Sequence, residues 1–195
     1  MTITSDEQDS LDMGRLAAGH DAALSDLMAR HGEPLFHYLI RQLQSETEAA
    51  DLAQEAFVRV YQNCGKFDSR QRFSTWLYAI ATNLCRDRFR WRARHSQVSL
   101  DSENEQTGGS LSGQLPDGKP APDESLQKAE RAESVRRAVA GLPEELRTPL
   151  ILAEFEDRSQ AEIAEVLQCS PKAVEMRLYR ARQQLRERLQ GFLSV

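Results

Sequence analysis

Two stretches of this sequence concentrate positive charge in an otherwise acidic chain. One runs from Cys169 to Arg182, CSPKAVEMRLYRAR, where Lys172 and three arginines accompany a single acidic residue, although the whole chain has a formal net charge of -5. The other covers residues 70–95, which hold seven arginines and one aspartate. Local positive charge of this kind is typical of surfaces that bind a polyanion such as nucleic acid. From charge alone, two solvated helix faces are the alternative interpretation.

The first basic stretch also carries side chains suited to unpaired bases. Aromatic residues are interleaved with its arginines, a combination that holds bases on apolar walls while cations follow a single strand. Asn83 lies in the same stretch, and its amide can hydrogen-bond to the Watson–Crick edge of an extruded base. Phe73 and Trp76 also fall on an apolar helical stripe, so a structural role in the core is their alternative interpretation.

A helix-turn-helix pattern positions the second basic stretch. Ser159 and Glu162 predict a capping box at the start of one helix, and Ser170 followed by Pro171 predicts the start of the next. The turn between them is short and contains Gln168 where such turns often carry glycine, which predicts backbone strain of about 1 kcal/mol. The second helix of this pattern is the one that enters the major groove of duplex DNA.

The remaining elements also follow a helical period, and no strand-like alternation occurs, so the predicted class is all-α. The segment SETEAADLAQEAFVRVYQNCG predicts an amphipathic helix with a capping box at Ser45 and Glu48 and an ion pair between Glu55 and Arg59. Residues 96–123 are rich in Ser, Gly, Pro and acidic residues, which predicts a flexible acidic linker between two small helical domains.

Several function classes are not expected. The three cysteines show no C-x-x-C spacing and the four histidines are scattered, so we expect no disulfide framework, metal site or cofactor. No nucleophile–base grouping or phosphate-binding glycine loop occurs, so we expect no enzyme. The acidic start lacks an apolar signal region and no stretch is apolar enough to span a bilayer, so we expect no membrane insertion and a cytoplasmic location.

Three ordered motifs point to one family. DLAQEAFVRVYQN, FDSRQRFSTWLYAIATNLCRDRFR and LPEELRTPLILAEFEDRSQAEIAEVLQCSPKAVEMRLYRAR resemble the extracytoplasmic-function (ECF) sigma factors of bacterial RNA polymerase. The resemblance implies a dissociable polymerase subunit that directs promoter recognition and DNA melting for a stress- or envelope-responsive regulon. It also implies a division of the chain into a disordered N-terminus at 1–12, sigma domain 2 at 13–95, the linker at 96–123 and sigma domain 4 at 124–192.

The same resemblance implies three binding surfaces and their partners. The clamp helices of the largest subunit of core RNA polymerase would contact Asp51, Gln54, Glu55 and Phe57. The minus-10 element of promoter DNA would contact Phe67, Asp68, Ser69, Phe73, Trp76, Asn83, Arg86 and Arg90. The minus-35 element would contact Ser170, Lys172, Ala173, Glu175, Met176, Arg177, Tyr179, Arg180 and Arg182. The polymerase flap tip and an anti-sigma factor are further implied partners.

Two other functions stay open from the residues themselves. A stand-alone helix-turn-helix repressor or activator would bind duplex DNA without polymerase, but it leaves the arginine and aromatic residues of 70–95 unexplained. An RNA-binding or antitermination role is the second alternative.

Overall fold

The computed structural model describes residues 4–95 and 122–193, and over these ranges it is all-α, as predicted. Most of the predicted linker at 96–123 lies outside the described residues. The helices are α1 Ser5–Ala17, α2 Ala22–Leu43, α3 Glu46–Asn63, α4 Phe73–His95, α5 Pro122–Ala140, α6 Glu144–Glu154, α7 Gln160–Leu167 and α8 Pro171–Leu193, with a 3₁₀ turn at Cys64–Lys66. Within these ranges no helix is both long and apolar enough to cross a membrane.

Helices α1–α4 form the N-terminal domain around the long helix α2. Apolar residues recur at helical spacing along α2, and Leu35, Tyr38 and Leu39 are fully buried against α3 and α4. The hydroxyl groups of Tyr38 and Thr82 are 2.7 Å apart, which pairs two buried polar groups between α2 and α4. The packed core of the N-terminal domain therefore fixes the position of α4 and of its basic C-terminal end.

The start of the chain differs from the predicted disordered N-terminus, because Ser5–Ala17 is helical. The hydroxyl of Thr4 accepts a hydrogen bond from the backbone N–H of Glu7, and the carboxylate of Glu7 accepts one from the backbone N–H of Thr4. This reciprocal capping box satisfies donors at the helix end that would otherwise be free. The acidic residues of this segment cap the helix or, as with Asp9 and Asp12, are buried in the structure.

Two aspartates of α1 are buried against α2 by charge pairing. Arg30 donates from Nε to Oδ1 of Asp9 at 2.9 Å and from Nη2 to Oδ2 of Asp12 at 2.6 Å. The second oxygen of Asp9 lies 2.8 Å from Nε2 of His31, whose ring packs 5.0 Å from the ring of Phe73. Burial of a carboxylate is tolerated only with such partners. The network connects α1 to the first residue of α4.

The start of α3 also differs from its prediction in one detail. Ser45 caps the helix, since its hydroxyl accepts from the backbone N–H of Glu48 at 3.4 Å, but the Glu48 carboxylate does not accept the predicted return bond from the backbone N–H of Ser45. That carboxylate pairs with Arg92 of α4 and lies 3.8 Å from Arg88. A tertiary ion pair has replaced the local bond that the sequence pattern predicts.

Helices α5–α8 form the C-terminal domain, and it packs directly on the N-terminal domain. Helix α8 contacts α5, α6 and α7, with Val174, Leu178 and Ala181 buried as the periodicity predicts. Between the domains, α4 packs on α7 and α2 on α6, and the buried residues of both domains form one cluster. The sequence predicted two modules on a tether, and the structure places these modules in contact.

Candidate nucleic-acid interface

An open cleft of about 220 Å³ lies between α3 and α4 beside Asn83. The cleft offers an amide at Asn83 and an aromatic wall at Trp76, both predicted from the sequence. Its other lining residues, which the sequence prediction missed, are Arg59, Asn63, Lys66 and Ile80. Four of its six residues carry amide or cationic donors, so the cleft suits a planar, hydrogen-bonding group attached to a polyanion.

The positions of the missed residues explain why the sequence did not reveal them. Arg59 and Asn63 are one helical turn apart near the end of α3, and Lys66 follows in the 3₁₀ turn, where its ammonium donates to Oδ1 of Asn63 at 3.0 Å. The spacing of Arg59, Asn63 and Lys66 was a usable signal for a shared face. Which neighbouring helix that face meets is decided only by the packing of α3 on α4.

Phe73 differs from its predicted role as a DNA contact, because its side chain is fully buried. Its ring lies 6.2 Å from that of Phe67 and 6.4 Å from that of Trp76, and the last two rings are 5.3 Å apart. Phe67 and Trp76 are partly buried and remain on the surface of this aromatic cluster. Phe73 therefore supports the aromatic wall from beneath, as the core interpretation of this residue predicts.

The loop before α4 is ordered by its own ion pair. Asp68 accepts three hydrogen bonds from the guanidinium of Arg70, the shortest at 2.6 Å, and a fourth from the backbone N–H of Arg70. The side-chain bonds from Arg70, followed by the backbone bond, lower the pKa of the Asp68 carboxyl to about 2. Asp68 is thus an anion that shapes the loop, while Ser69 is exposed at its tip.

The arginines at the end of α4 differ in how available they are. Arg90 is 73% exposed and only loosely paired, with Asp87 at 3.5 Å. Arg86 is 27% exposed, and its Nε donates to Oε1 of Glu144 in the C-terminal domain at 3.1 Å. Trp91 is half exposed and stacks on the ring of His95 at 4.3 Å. This end of α4 is a cationic and aromatic surface in which part of the charge is already neutralised.

The turn of the helix-turn-helix unit has the predicted geometry. Ser159 and Glu162 form a full capping box at the start of α7, and Ser170 accepts from the backbone N–H of Ala173 at 3.2 Å at the start of α8. Gln168 takes a left-handed backbone conformation with φ of 54°. A side chain there is strained by about 1 kcal/mol relative to glycine, so the predicted strain is confirmed.

The outward face of α8 presents exposed apolar and charged side chains together. Tyr179 is 64% exposed and Met176 is 42% exposed. Lys172 and Glu175 also face solvent, and their side chains pair with each other at 2.9 Å. Arg180 is exposed and Ala173 partly so. The ammonium of Lys172 is therefore shared between a local carboxylate and any incoming DNA.

Two arginines of α8 contact other parts of the C-terminal domain. Arg182 donates to Oε1 of Glu154 at 2.7 Å, although both side chains are about half exposed. Arg177 is partly buried and donates to Sγ of Cys169 at 3.6 Å. Arg177 would have to turn outward to reach DNA, whereas Arg182 needs only to exchange one carboxylate for a phosphate.

The outer face of α3 forms a separate surface. Asp51 and Gln54 are exposed, and Glu55 is half exposed in the predicted pair with Arg59 at 2.9 Å, which is confirmed. Phe57 differs from its predicted role in binding, because it is 4% exposed and belongs to the core. The apolar residues that do reach this surface are Val58 and Tyr61, each 46% exposed. Because successive residues of a helix point in different directions, Phe57 faces the core while Val58 beside it faces solvent.

The described residues contain no group of three or more histidine, cysteine, aspartate or glutamate side chains arranged to hold a metal ion. Cys85 is buried, and burial raises the pKa of its thiol to about 12. Cys64 and Cys169 are partly buried free thiols.

Comparison with known proteins identifies the family of both domains. Residues 27–95 match the family model of sigma-70 region 2 and residues 132–185 that of sigma-70 region 4. The chain is 33% identical over 172 residues to the ECF RNA polymerase sigma factor SigW of Bacillus subtilis, with 88% of this chain and 91% of that protein covered.

Solved structures show the same fold. CnrH, in complex with the cytosolic domain of CnrY, is 26% identical with a TM-score of 0.68, over 94% of this chain and 98% of that chain. RpoE of Bartonella quintana, in complex with the anti-sigma factor NepR, is 21% identical with a TM-score of 0.66, over 85% and 96%. From its two sigma regions and its identity to a curated relative over nearly its whole length, this chain belongs to the extracytoplasmic-function sigma factors, the dissociable subunits that direct RNA polymerase to promoters.

Proposed function

We propose that this sigma factor opens its promoters by capturing a flipped base of the minus-10 element in the cleft beside Asn83. The observation that carries the proposal is the make-up of that cleft, which sets an exposed amide, an aromatic wall and two cations around one opening. An amide can read a base edge, Trp76 can stack on its face, and Arg59 with Lys66 can hold the flanking phosphates. As a member of its family the protein is a transcription initiation factor and not an enzyme.

In this proposal DNA melting is favourable because capture of an extruded base offsets the cost of extruding it. Extruding a base costs a few kcal/mol of stacking and pairing, and capture in a pocket returns a comparable amount through new stacking and hydrogen bonds. The ring of Phe67 packs on that of Trp76, and with Asp68 and Ser69 it would contact the DNA from the loop before α4, while Arg86 and Arg90 would contact the strand along α4. In this proposal Phe73 acts only as the packed support of the loop, because its side chain is buried.

Helix α8 would read the minus-35 element with its N-terminal half in the major groove. Lys172, Met176 and Tyr179 are exposed on the outward face, and Arg180 lies beside them. A lysine or arginine that reads a guanine edge discriminates by about 1–3 kcal/mol, whereas Arg182 is placed for phosphate contact, which adds affinity without sequence information. Glu175 could accept from a cytosine amino group once its pair with Lys172 opens.

The outer face of α3 would bind the clamp helices of the polymerase largest subunit. Asp51, Gln54 and Glu55 supply its polar contacts, and the exposed side chains of Val58 and Tyr61 supply the apolar area that an interface core needs. The C-terminal domain would contact the polymerase flap tip. With both domains held by one enzyme, two weak DNA contacts reinforce each other through effective concentration.

Three further features complete the proposal. We infer control by an anti-sigma factor, which is supported by the similar fold of RpoE in its complex with NepR. We also propose a stress- or envelope-responsive regulon, as the family resemblance implies. Because polymerase and chromosomal DNA are cytoplasmic in bacteria, we infer a cytoplasmic location.

The test separates DNA opening from polymerase binding. Asn83→Ala should reduce open-complex formation in transcription with purified core polymerase, while affinity for the polymerase stays the same, because Asn83 lies on the cleft and not on the outer face of α3. The double variant Asp51→Ala with Glu55→Ala should show the opposite pattern. Gln62→Ala removes an exposed amide of α3 outside the cleft and serves as the matched control. Equal losses of both activities in each variant would contradict the assignment of separate surfaces.

A further inference from the structure

The polar groups that remain available in the cleft beside Asn83 are hydrogen-bond donors. Asn63 is engaged at both of its polar atoms, because its amide nitrogen donates to the carbonyl of Arg59 at 2.9 Å and its Oδ1 accepts from Lys66 at 3.0 Å. Oδ1 of Asn83 accepts from Nη1 of Arg86 at 3.4 Å. Among the described residues, the amide nitrogen of Asn83 and the terminal nitrogens of Arg59 have no hydrogen-bond partner. The cleft therefore favours a ligand that is rich in acceptors.

The positive charge of the cleft is more than one phosphodiester can balance. Arg59 and Lys66 both line the cleft, and within the described part of the chain no carboxylate does. Glu55 accepts from Nε of Arg59 at 2.9 Å, but its side chain is 45% exposed, so water screens this pair. In promoter DNA each flanking phosphate would bring one negative charge. The terminal phosphate of a mononucleotide brings nearly two negative charges on a single group at neutral pH.

The aromatic wall of the cleft is fixed in position for stacking. The ring of Trp76 packs at 5.3 Å from that of Phe67 and at 6.4 Å from that of Phe73, and Trp76 also lines the cleft. The cleft volume of about 220 Å³ is smaller than the roughly 300–1,000 Å³ of sites that enclose a drug-sized ligand. The cleft therefore has room for one base, with the sugar and phosphate at its open edge.

From these features we propose that the cleft also binds free purine nucleoside 5′-monophosphates, with guanosine monophosphate (GMP) as the preferred ligand. Guanine places two acceptors side by side, O6 and N7, which match the available donors. Its ring would stack on Trp76 while the phosphate dianion lies between Arg59 and Lys66. The binding depends on the cleft alone, whereas competition with a promoter base rests on the proposed function. The free sigma factor would then respond to the concentration of this nucleotide.

Binding can be followed at Trp76 itself. The chain contains two tryptophans, so a two-dimensional nitrogen–proton NMR spectrum of the full chain shows two indole N–H signals, and Trp91→Phe assigns them. We expect GMP to shift the Trp76 signal with a dissociation constant on the order of 1 mM. Trp91 is half exposed and lies about 22 Å away along α4, so its signal is an internal control for non-specific stacking.

A matched ligand and two matched variants test the charge argument. Cyclic GMP has the same base but a phosphodiester with one negative charge, so we expect it to bind about threefold to tenfold more weakly than GMP. Lys66→Gln should weaken GMP binding by a similar factor, because one of the two cations is lost. Arg131→Gln removes a cation from an exposed position on α5 and should leave GMP binding unchanged.

The outcomes decide the proposal in both directions. A shift of the Trp76 signal without one of Trp91, together with weaker binding of cyclic GMP and of Lys66→Gln, supports it. No shift of Trp76 at about 10 mM GMP, equal shifts of both indoles, equal affinity for the two nucleotides, or unchanged binding by Lys66→Gln overturns it. The same spectra report folding. Should Lys66→Gln fail to fold, Arg59→Gln makes the corresponding test from a position that is 40% exposed.

Competition with DNA keeps this proposal separate from the proposed function. GMP at about five times its dissociation constant should weaken binding of a fluorescein-labelled single-stranded oligonucleotide by roughly sixfold, with cyclic GMP at equal ionic strength as the control. Open-complex formation by Asn83→Ala tests the proposed function without GMP. If GMP binds without competing and Asn83→Ala opens promoters normally, the proposed function is wrong and the nucleotide site stands. If GMP does not bind and Asn83→Ala loses open complexes, only the nucleotide site is wrong.

Discussion

Replacing Arg30 by methionine should destabilise the protein far more than its position on a surface helix suggests. The guanidinium bonds Asp9 and Asp12, whose side chains are 1% and 0% exposed. Removing one partner of a buried ion pair costs about 3–5 kcal/mol, because the remaining charge stays away from water. Arg30 is itself 29% exposed, and Arg15 and His31 keep contacts with the two acids, so we expect about 3 kcal/mol. For a chain of this size that loss lowers Tm by roughly 6–12 °C.

The same variant has a predicted pH dependence. Burial raises the pKa of Asp12, but the hydrogen bonds from Arg30, Gln8 and Arg15 outweigh burial and leave the pKa below its ordinary value of 3.8. A lowered carboxyl pKa contributes stability that is present above the unfolded pKa and is lost as the pH falls through the folded pKa. Without Arg30 the burial effect dominates and Asp12 takes up a proton at a higher pH. The gap in Tm between wild type and Arg30→Met should therefore narrow from about pH 7 to about pH 4.

Thermal unfolding followed by circular dichroism measures both effects. Arg15→Met is the control, because Arg15 is 50% exposed and bonds one of the same acids, yet its loss should cost less than about 1 kcal/mol. The reasoning would be refuted if Arg30→Met lowered Tm by no more than Arg15→Met does. It would also be refuted if the difference in Tm between wild type and Arg30→Met did not change with pH. The network also supports Phe73 through His31, so the variant should weaken DNA opening at temperatures near its Tm.

Two further predictions concern single residues. Gln168→Gly should raise the free energy of unfolding by up to about 1 kcal/mol in urea denaturation, since glycine adopts the left-handed conformation without strain, and a loss of stability would contradict this account. Cys85 should be the slowest of the three thiols to react with a thiol reagent in the native protein, because it is buried and burial raises its pKa to about 12, while Cys64 and Cys169 react first. Modification of Cys85 at the rate of the other two would contradict this account.

The features that were predictable from the sequence are those set by neighbours along the chain. The helix-turn-helix unit with its caps at Ser159 and Ser170 is one case, and the strained turn at Gln168 is another. Caps and helix periodicity depend on residues three or four apart, so they can be read directly from the order of the residues. The position of Asn83 on the exposed side of α4, beside the stripe that contains Trp76, also follows from helix periodicity.

Errors arose where one helix packs on another. Phe57 and Phe73 were predicted to be binding residues, but each fills a core between helices, and Val58 and Tyr61 reach the surface beside Phe57. A single helical stripe is too wide to tell which of two adjacent apolar residues is covered, since that depends on the crossing angle of the neighbouring helix.

By itself, the sequence determined the all-α class, the two domains, the helix-turn-helix unit and the two concentrations of positive charge, because local propensity and composition specify these. The tertiary structure alone decided that Asp9 and Asp12 of α1 are buried against Arg30, that Arg59 and Lys66 share a cleft with Asn83, and that the buried carboxylate of Glu156 lies between the domains. A pairing between distant residues becomes favourable only when packing removes both partners from water, and no spacing along the chain records which partner that will be.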